Sequence, residues 1–237
     1  MVYLRTVVGM ACLALVLPAT VPMAGAAGDE PNQLTPQERA AGWRLLFDGQ
    51  TTSGWRGYKQ RAAPAGWQVV DGALTRVGGG GDILTSEEFA DFELAFEWNI
   101  APGGNSGVFY RATEEAAAIW QSAPEFQILD NAGHKDGQKP ETSAGSNYAL
   151  NAPTRDATRR PGAWNQARIV AKGGRVEHWL NGEKIVEYEV GSPDWTKRVA
   201  ASKFAPYPGY GRASSGRIAL QDHGDRVAFR SIKVRTI

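Results

Sequence analysis

Short β-rich runs separated by Gly, Pro, Asn and Asp fill most of this chain and limit what it can fold into. Two of the breaks, Asp71-Gly72 and Asn181-Gly182, are dipeptides that favour tight hairpin turns because they tolerate positive φ angles. The predicted strands are Trp43–Phe47, Trp67–Val70, Ala73–Arg76, Asp82–Thr85, Phe92–Asn99, Gly107–Ala112, Glu125–Leu129, Asn165–Ala171, Arg175–Leu180, Lys184–Tyr188, Arg217–Gln221 and Val227–Val234. Many short strands without an alternating βαβ pattern predict an all-β sandwich of two antiparallel sheets.

The N-terminus has the composition of a secretory signal peptide. A charged start precedes an apolar run over 7–17 and small residues that end at Ala26. The run is shorter than the roughly 20 residues that cross a bilayer. We therefore expect residues 1–26 to be removed and residues 27–237 to form one domain in the periplasm or outside the cell. A buried N-terminal helix, or a lipoprotein acylated at Cys12, is the alternative.

Composition narrows the classes of partner. Cys12 is the only cysteine, so residues 27–237 hold neither disulfides nor thiolate metal sites. Lys and Arg total 26 against 25 Asp and Glu, without a basic run, which argues against nucleic acids and anionic membranes as partners. All eight tryptophans follow the signal peptide, where they either stack on sugar rings or fill the core. A short helix is predicted at the start of the domain, with Thr35 as its cap and Pro36 at its first position.

The strand Glu125–Leu129 is the first candidate for chemistry. Side chains alternate across a strand, so Phe126 and Ile128 are expected in the core while Glu125 and Gln127 share the other face. Asp130 follows at the strand end. The alternative is an ordinary solvent-facing side of a sheet.

A strand near the C-terminus repeats this alternation. Ile218 and Leu220 are expected in the core, whereas Ala219, Gln221 and His223 share the opposite face, where the small alanine leaves room for a ligand. A solvent-exposed histidine at a turn is the alternative for His223.

The segment Gly103–Arg111 runs into a strand and lacks the Gly-Lys-Ser/Thr of a phosphate loop. Its glycines permit close backbone approach, and Asn105 and Arg111 offer hydrogen-bond donors to a sugar. An ion pair between Arg111 and Glu125 is the structural alternative.

Further candidates lie outside these three stretches. The long polar segment 131–163 is typical of a site-forming loop, and His134 within it is expected at the rim of the site. Trp164 is a candidate stacking residue, while Trp179 is expected to pack and His178 to lie at an edge or on the surface. No zinc spacing is present and no cofactor is predicted, although a Ca²⁺ site built from oxygen ligands stays open.

Six motifs together resemble one known family. They are GWRLLFDGQTTSGW, GNSGVFYR, EFQILDN, GAWNQARI, VEHWLNGEKIVEYE and GRIALQDHG, in the order found in the 3-keto-disaccharide hydrolases, and they extend from about Leu34 to the C-terminus. That family has a concanavalin A-like jelly-roll fold and was provisionally assigned to the glycosyl hydrolases. The resemblance implies a periplasmic or cell-surface enzyme that cleaves glycosides already oxidised to a ketone at C3.

The chemistry that the resemblance implies needs a base, a group that polarises the ketone oxygen and an acid for the leaving group. Glu125 is the first candidate for general acid or base and His223 the second. The residues expected to hold the sugar or line its rim are Asn105, Arg111, Gln127, Asp130, His134, Trp164 and Gln221. A non-catalytic lectin-like module, a conventional glycoside hydrolase of unmodified sugars, and a structural or adhesion protein are the rival interpretations.

Overall fold

The computed structural model describes residues 30–237, besides Met1, as two antiparallel β-sheets with two short helices. The elements in chain order are α1 (Pro36–Ala40), β1 (Arg44–Leu45), β2 (Trp55–Gly57), β3 (Trp67–Val70), β4 (Ala73–Arg76), β5 (Ile83–Thr85), β6 (Phe92–Ile100), β7 (Asn105–Ala112), β8 (Glu125–Leu129), β9 (Asn165–Lys172), β10 (Arg175–Leu180), β11 (Glu183–Glu189), α2 (Pro193–Ala200), β12 (Arg217–Leu220) and β13 (Val227–Thr236). Short 3₁₀ turns occupy Ile119–Gln121, Lys135–Gln138 and Pro140–Thr142. The predicted signal peptide lies, apart from Met1, outside the described residues.

The larger sheet has eight strands, in the order β11-β10-β9-β6-β13-β4-β3, with β1 paired to β13. The smaller sheet has five strands in the order β2-β5-β12-β7-β8. All pairings between these strands are antiparallel, and the short helix α1 begins at the cap Thr35, as expected. The predicted all-β sandwich with a short N-terminal helix is therefore confirmed.

Both predicted hairpin turns form. Asp71 and Gly72 have φ angles of 51° and 72°, and Asn181 and Gly182 have 50° and 88°. Two successive positive φ angles match the right-handed twist of the flanking strands. Each turn therefore fixes the register of its hairpin.

The core lies between the two sheets and follows the two-residue period of the strands. Along β6 the side chains of Phe92, Leu94, Phe96, Trp98 and Ile100 are buried, and the residues between them are mostly less buried. Phe96 of the larger sheet meets Phe126 of the smaller one edge to face, with ring centroids 5.8 Å apart. Aromatic contacts of this geometry join the two layers.

The other face of the smaller sheet is also covered, which the sequence did not predict. All five residues of β8 are buried, and a second apolar cluster forms on that face from Leu84, Phe109 and Ala219 together with Ile119 of the turn after β7. The segments after β7, β8 and α2 contribute residues to this face. The face that carries Glu125 and Gln127 is therefore the floor of an enclosed region and not the ordinary solvent side that was the alternative.

The remaining differences from the sequence prediction are local. The strand predicted at Trp43–Phe47 is reduced to Arg44–Leu45. The strand β2 and the helix α2 were not predicted, although Ser192 caps α2 and Pro193 occupies its first turn, which is a readable helix start. Among the described residues, no helix has the length and apolar character needed to cross a membrane.

Candidate active site

Strands β7 and β8 set the floor of the candidate site through their register. Phe109 pairs with Glu125, and Gly107 pairs with Gln127. Paired residues of antiparallel strands project from the same face. A Cβ placed on Gly107 would overlap the Glu125 carboxylate and come within 2.7 Å of its Cδ. The missing side chain at Gly107 therefore lets the Glu125 carboxylate lie across the neighbouring strand.

This face opens into a cavity of about 190 Å³. The residues that line it are Asn105, Trp120, Glu125, Gln127, Tyr148, Lys203, Gln221 and His223. Five of the residues singled out from the sequence are thus brought together, from the two strands β7 and β8 and the segment that follows β12. Their chemical roles stay predictions.

Glu125 is the one carboxylate among the residues that line the cavity. Its side chain is 4 % exposed and forms no ion pair with the described residues. Burial raises the pKa of Glu125 to about 8, with smaller raising contributions from Asp82 and Asp136 and an opposing one from Lys203. A carboxyl group that exchanges its proton near neutral pH is suited to acid–base chemistry.

Amide side chains surround this carboxylate. With its nitrogen facing the available acceptors, Gln127 donates to the carbonyl oxygen of Ser106 at 3.0 Å and to Glu125 Oε1 at 3.1 Å. In this orientation the side-chain oxygen of Gln127 lies 3.4 Å from the side-chain amide of Asn105. Gln221 Oε1 is buried and accepts no hydrogen bond from the described residues. A buried acceptor without a partner is costly, so this oxygen is suited to a hydroxyl group of a ligand.

The opposite wall consists of aromatic rings and one amine. Trp120 comes from the turn after β7, Tyr148 from the long segment after β8, and Lys203 from the segment after α2. The Nζ atom of Lys203 lies 4.3 Å from the centroid of the Tyr148 ring. Tyr148 donates a hydrogen bond of 3.1 Å to Asp136. The wall therefore combines stacking surfaces with a positive charge.

The rim is formed by two histidines and an ordered turn. The rings of His134 and His223 lie 6.3 Å apart, and His223 is exposed. His134 Nδ1 accepts a hydrogen bond from the backbone of Asp136 at 3.1 Å, which fixes the proton on Nε2 when the ring is neutral. Asp130 accepts hydrogen bonds from the backbone of Gly103 at 2.8 Å and of Ala132 at 3.2 Å. Asp130 thus orders the two loops beside the rim and does not line the cavity itself, and its expected contact with a sugar stays a prediction.

Arg111 and Trp164 are not part of the cavity, which corrects two sequence predictions. Arg111 donates to the carbonyl oxygens of Ala90 and Gly173 at 2.8 Å each and to the carboxylate of Asp91 at 3.0 Å. Its ion-pair partner is therefore Asp91 rather than Glu125. A φ angle of 52° at Arg111 interrupts the alternation that the sequence prediction assumed.

Trp164 lies on the other sheet. It borders a separate depression, beside Asn99 and Arg226, and its ring is covered by the guanidinium of Arg230 at 4.1 Å. Trp179 likewise packs under Arg168 at 4.1 Å, as expected. Neither indole faces the polar cavity.

His178 is buried rather than at an edge or on the surface. Its Nε2 lies 2.9 Å from the hydroxyl of Tyr110, and its Nδ1 lies 2.9 Å from the carbonyl oxygen of Gly145. Tyr110 is also hydrogen-bonded to Tyr188. Burial lowers the pKa of His178 to about 4. This histidine therefore connects the core to the segment that carries Tyr148.

Three cavity residues were not identified from the sequence. Tyr148 falls in the long polar segment that was expected to form a site, so the sequence indicated the segment but not the residue. Trp120 and Lys203 lie in irregular segments between strands, where no periodicity indicates which way a side chain points. Among residues 30–237, no group of three or more His, Cys, Asp or Glu side chains is arranged to hold a metal ion.

Comparison with known proteins adds an independent line of evidence. Residues 42–235 match the family model described as a 3-keto-alpha-glucoside-1,2-lyase-like domain. A Bacteroides thetaiotaomicron protein named 3-keto-disaccharide hydrolase is 35 % identical over 230 residues, which cover 84 % of this chain and 79 % of that protein.

Solved structures agree with this match. A Parabacteroides distasonis protein provisionally assigned as a glycosyl hydrolase superposes with a TM-score of 0.82 at 34 % identity, covering 88 % of this chain and all of that one. A second structure from the same organism, with the same provisional assignment, gives a TM-score of 0.65 at 30 % identity, over 82 % of this chain and 99 % of the other. A carbohydrate-binding module from Bacillus subtilis, at 12 % identity and a TM-score of 0.50 over 77 % of this chain and 96 % of that one, shares the fold alone.

Proposed function

Because the chain belongs to the 3-keto-alpha-glucoside-1,2-lyase-like family, we propose that it cleaves glycosides whose sugar ring carries a ketone at C3. The family resemblance carried by six sequence motifs is confirmed, as is the prediction of an enzyme of this family. The substrate and the mechanism are our inferences from the family and from the residues of the cavity, and the location is our inference from the N-terminal sequence.

The observation that carries the proposal is that one carboxylate, Glu125, lines the cavity in the described part of the chain. A conventional glycosidase uses two carboxyl groups, roughly 5 to 9.5 Å apart, on either side of the scissile bond. Glu125 is the one carboxylate that lines this cavity within the described part of the chain, and amides rather than a second acid stand beside it. Chemistry that begins with one base fits this arrangement better.

A ketone at C3 supplies the reason that one base is sufficient. The carbonyl group acidifies the proton on C2, so ionised Glu125 removes it and the C–H electron pair forms a C2–C3 double bond while the carbonyl π pair moves to oxygen. The pair then returns to rebuild the ketone, a C1–C2 double bond forms, and the C1–O bond to the leaving group breaks. Water adds at C1 and a proton returns to C2, so that the net reaction is hydrolysis.

The remaining cavity residues have roles in binding and in protonating the leaving group. Gln127 orients the Glu125 carboxylate, while Asn105 and Gln221 contact hydroxyl groups of the ring. His223 at the rim is placed where the leaving group exits and is our candidate for the acid. A cavity of about 190 Å³ accommodates one sugar ring and leaves the leaving group outside.

We also propose that the enzyme acts in the periplasm or outside the cell. The support is the signal-peptide pattern over residues 1–26, which combines a charged start, an apolar run and a small-residue end. Fractionation of cells that express the full chain, followed by intact mass of the product, tests this part separately.

The experiment for the activity compares one disaccharide with its 3-keto form. We expect cleavage of the 3-keto form and little of the unmodified one, and equal cleavage of both would contradict the proposal in favour of a conventional hydrolase. Glu125→Gln should lower turnover by about 10² or more while sugar binding persists. Glu189→Gln, an exposed acid on β11 outside the cavity, is the matched control and should keep wild-type turnover.

A further inference from the structure

Lys203 is the positively charged side chain of the cavity, and the fold holds it there by its neighbours. Phe204, the next residue, is buried and stacks on Tyr210 with ring centroids 4.0 Å apart, and Tyr210 stacks in turn on Trp195 of α2 at 5.9 Å. The backbone of Gly211 donates to the carbonyl oxygen of Ser122 at 2.8 Å. The segment after α2 is thus tied both to the helix and to the turn that carries Trp120.

The ammonium group of Lys203 packs against three aromatic rings. Its Nζ lies 4.3 Å from the ring centroid of Tyr148, 5.3 Å from that of Phe204 and 5.4 Å from that of Trp120. It forms no ion pair with any described residue. Cation–π contacts favour a charged amine without using its N–H donors in a fixed direction.

The titratable groups that face Lys203 are few. Two are carboxylates, namely Glu125 of β8 and Asp136 of the segment after β8. The third is Tyr148, on the segment after β8, whose ring packs against the amine of Lys203. Burial lowers the pKa of Lys203, and the charges of Glu125 and Asp136 oppose that decrease. A cation so placed is held inside the cavity with its donors available for a ligand.

The proposed reaction needs such a cation. Removal of the C2 proton places a negative charge on the C3 oxygen, and a preorganised donor aimed at that oxygen stabilises the transition state. The sequence suggested Arg111 for the sugar or its carbonyl oxygen, but the guanidinium of Arg111 is engaged with Ala90, Asp91 and Gly173 outside the cavity. Lys203 is the one Lys or Arg among the residues that line the cavity in the described part of the chain.

We propose that Lys203 is a catalytic residue that binds the C3 oxygen of the oxidised sugar and stabilises the enolate formed when Glu125 removes the C2 proton; this inference rests on the proposed function. The ammonium donates a hydrogen bond to the oxygen as the carbonyl π pair moves onto it. No covalent bond forms between protein and sugar, and no proton leaves Lys203. When the pair returns to rebuild the ketone and the leaving group is expelled, the hydrogen bond weakens again.

The test uses the full enzyme with Lys203→Met and Lys203→Arg, and with Lys197→Met, an exposed lysine of α2, as the matched control. Lys203→Met should lower kcat by about 10² to 10³ on the 3-keto substrate, which is the usual effect of losing one donor to a developing oxyanion. Lys197→Met should remain within twofold of the wild type. The pH profile adds a readout that a merely structural role would not move: the wild-type rate should decline at alkaline pH as Lys203 loses its proton, and this decline should disappear in Lys203→Arg.

Two results would overturn the inference while the proposed function stands. One is a Lys203→Met enzyme that cleaves the 3-keto substrate within threefold of the wild type. The other is a covalent adduct on Lys203 when the wild type turns over in the presence of cyanoborohydride, because that reagent reduces an iminium and would reveal a Schiff base in place of a hydrogen bond.

The two proposals fail in different experiments. If the wild-type enzyme does not prefer the 3-keto form, the proposed function and this role of Lys203 both fall. If Lys203→Met does not fold, the wild type still decides the question, since exchange of the C2 proton of the 3-keto sugar with D₂O should decrease as pH rises through the titration of Lys203. A rate of exchange that stays constant there would contradict the role.

Discussion

The carboxylate of Glu125 occupies the space above Gly107 on the neighbouring strand, where a Cβ would overlap it. Gly107→Ala should therefore push the reactive carboxylate out of position while the strand itself tolerates alanine. We expect turnover to decrease by about 10²-fold, because a misplacement of about 1 Å at a reacting group has effects of that size.

The measurement for Gly107→Ala is kcat beside the thermal midpoint of unfolding. Gly79→Ala is the control, since a Cβ there contacts nothing within 4 Å. Unchanged turnover in Gly107→Ala would show that the position of Glu125 over Gly107 is not needed for catalysis.

The pH dependence of the reaction should reflect the environment of Glu125. The base must be ionised, and burial raises its pKa to about 8. The value of kcat/KM should therefore rise about tenfold per pH unit below that pKa and level off above it, until the decline expected at more alkaline pH as Lys203 loses its proton. An acid limb near the ordinary carboxyl pKa of about 4.3 would contradict the role of a buried Glu125 as the base.

Because His178 is buried, the free energy of unfolding should depend on pH below about 6.5. Its pKa falls from 6.5 to about 4 in the folded state because burial disfavours the charged ring. The unfolded chain therefore binds the extra proton first, and the free energy of unfolding contributed by this group decreases as pH falls from 6.5 to about 4. The total effect is on the order of 3 kcal/mol.

Urea unfolding of His178→Gln and wild type between pH 4 and 7 measures this contribution. The difference in stability between the two should narrow as the pH falls, because the variant has no imidazole to protonate. A constant difference for His178→Gln across the range would contradict the interpretation.

Arg111 should matter for stability and not for turnover. Its guanidinium fixes Ala90, Asp91 and Gly173 by three hydrogen bonds, so Arg111→Met leaves several polar groups without partners. We expect a loss of about 2 to 3 kcal/mol in the free energy of unfolding. The kcat and KM of the folded fraction should match the wild type. A decrease in kcat with unchanged stability would instead indicate that Arg111 contributes to catalysis.

The part of the site that lies on regular strands could be predicted from the sequence. Alternation in the predicted strands Glu125–Leu129 and Arg217–Gln221 placed Glu125, Gln127 and Gln221 opposite the core, and the cavity contains all three, although the second strand ends at Leu220. The physical reason is that a strand has a side-chain period of two, so one buried residue determines the orientation of its neighbours. His223 lies beyond the strand and still reaches the cavity.

The sequence predictions failed for residues at which this two-residue period is interrupted, or which lie outside regular strands. Arg111 has a positive φ, and its guanidinium contacts residues just before β6 and just after β9. No feature of the sequence GVFYR indicates such a residue. Lys203 and Trp120 reach the cavity from irregular segments, whose course is set by tertiary contacts such as the stack of Phe204 on Tyr210. Local sequence cannot report contacts between residues that are far apart along the chain.

Because β8 is buried on both faces, the base and the enclosure around it come from different kinds of structure. The floor is a pair of hydrogen-bonded strands, whereas the walls are the three connecting segments after β7, β8 and α2. These segments can differ in length without a change in the register of the strands. Variation among relatives in the choice of sugar or linkage can therefore arise in the walls, and exchanging those segments between homologues while keeping Lys203 is a route to new specificity that leaves the proton-transfer chemistry in place.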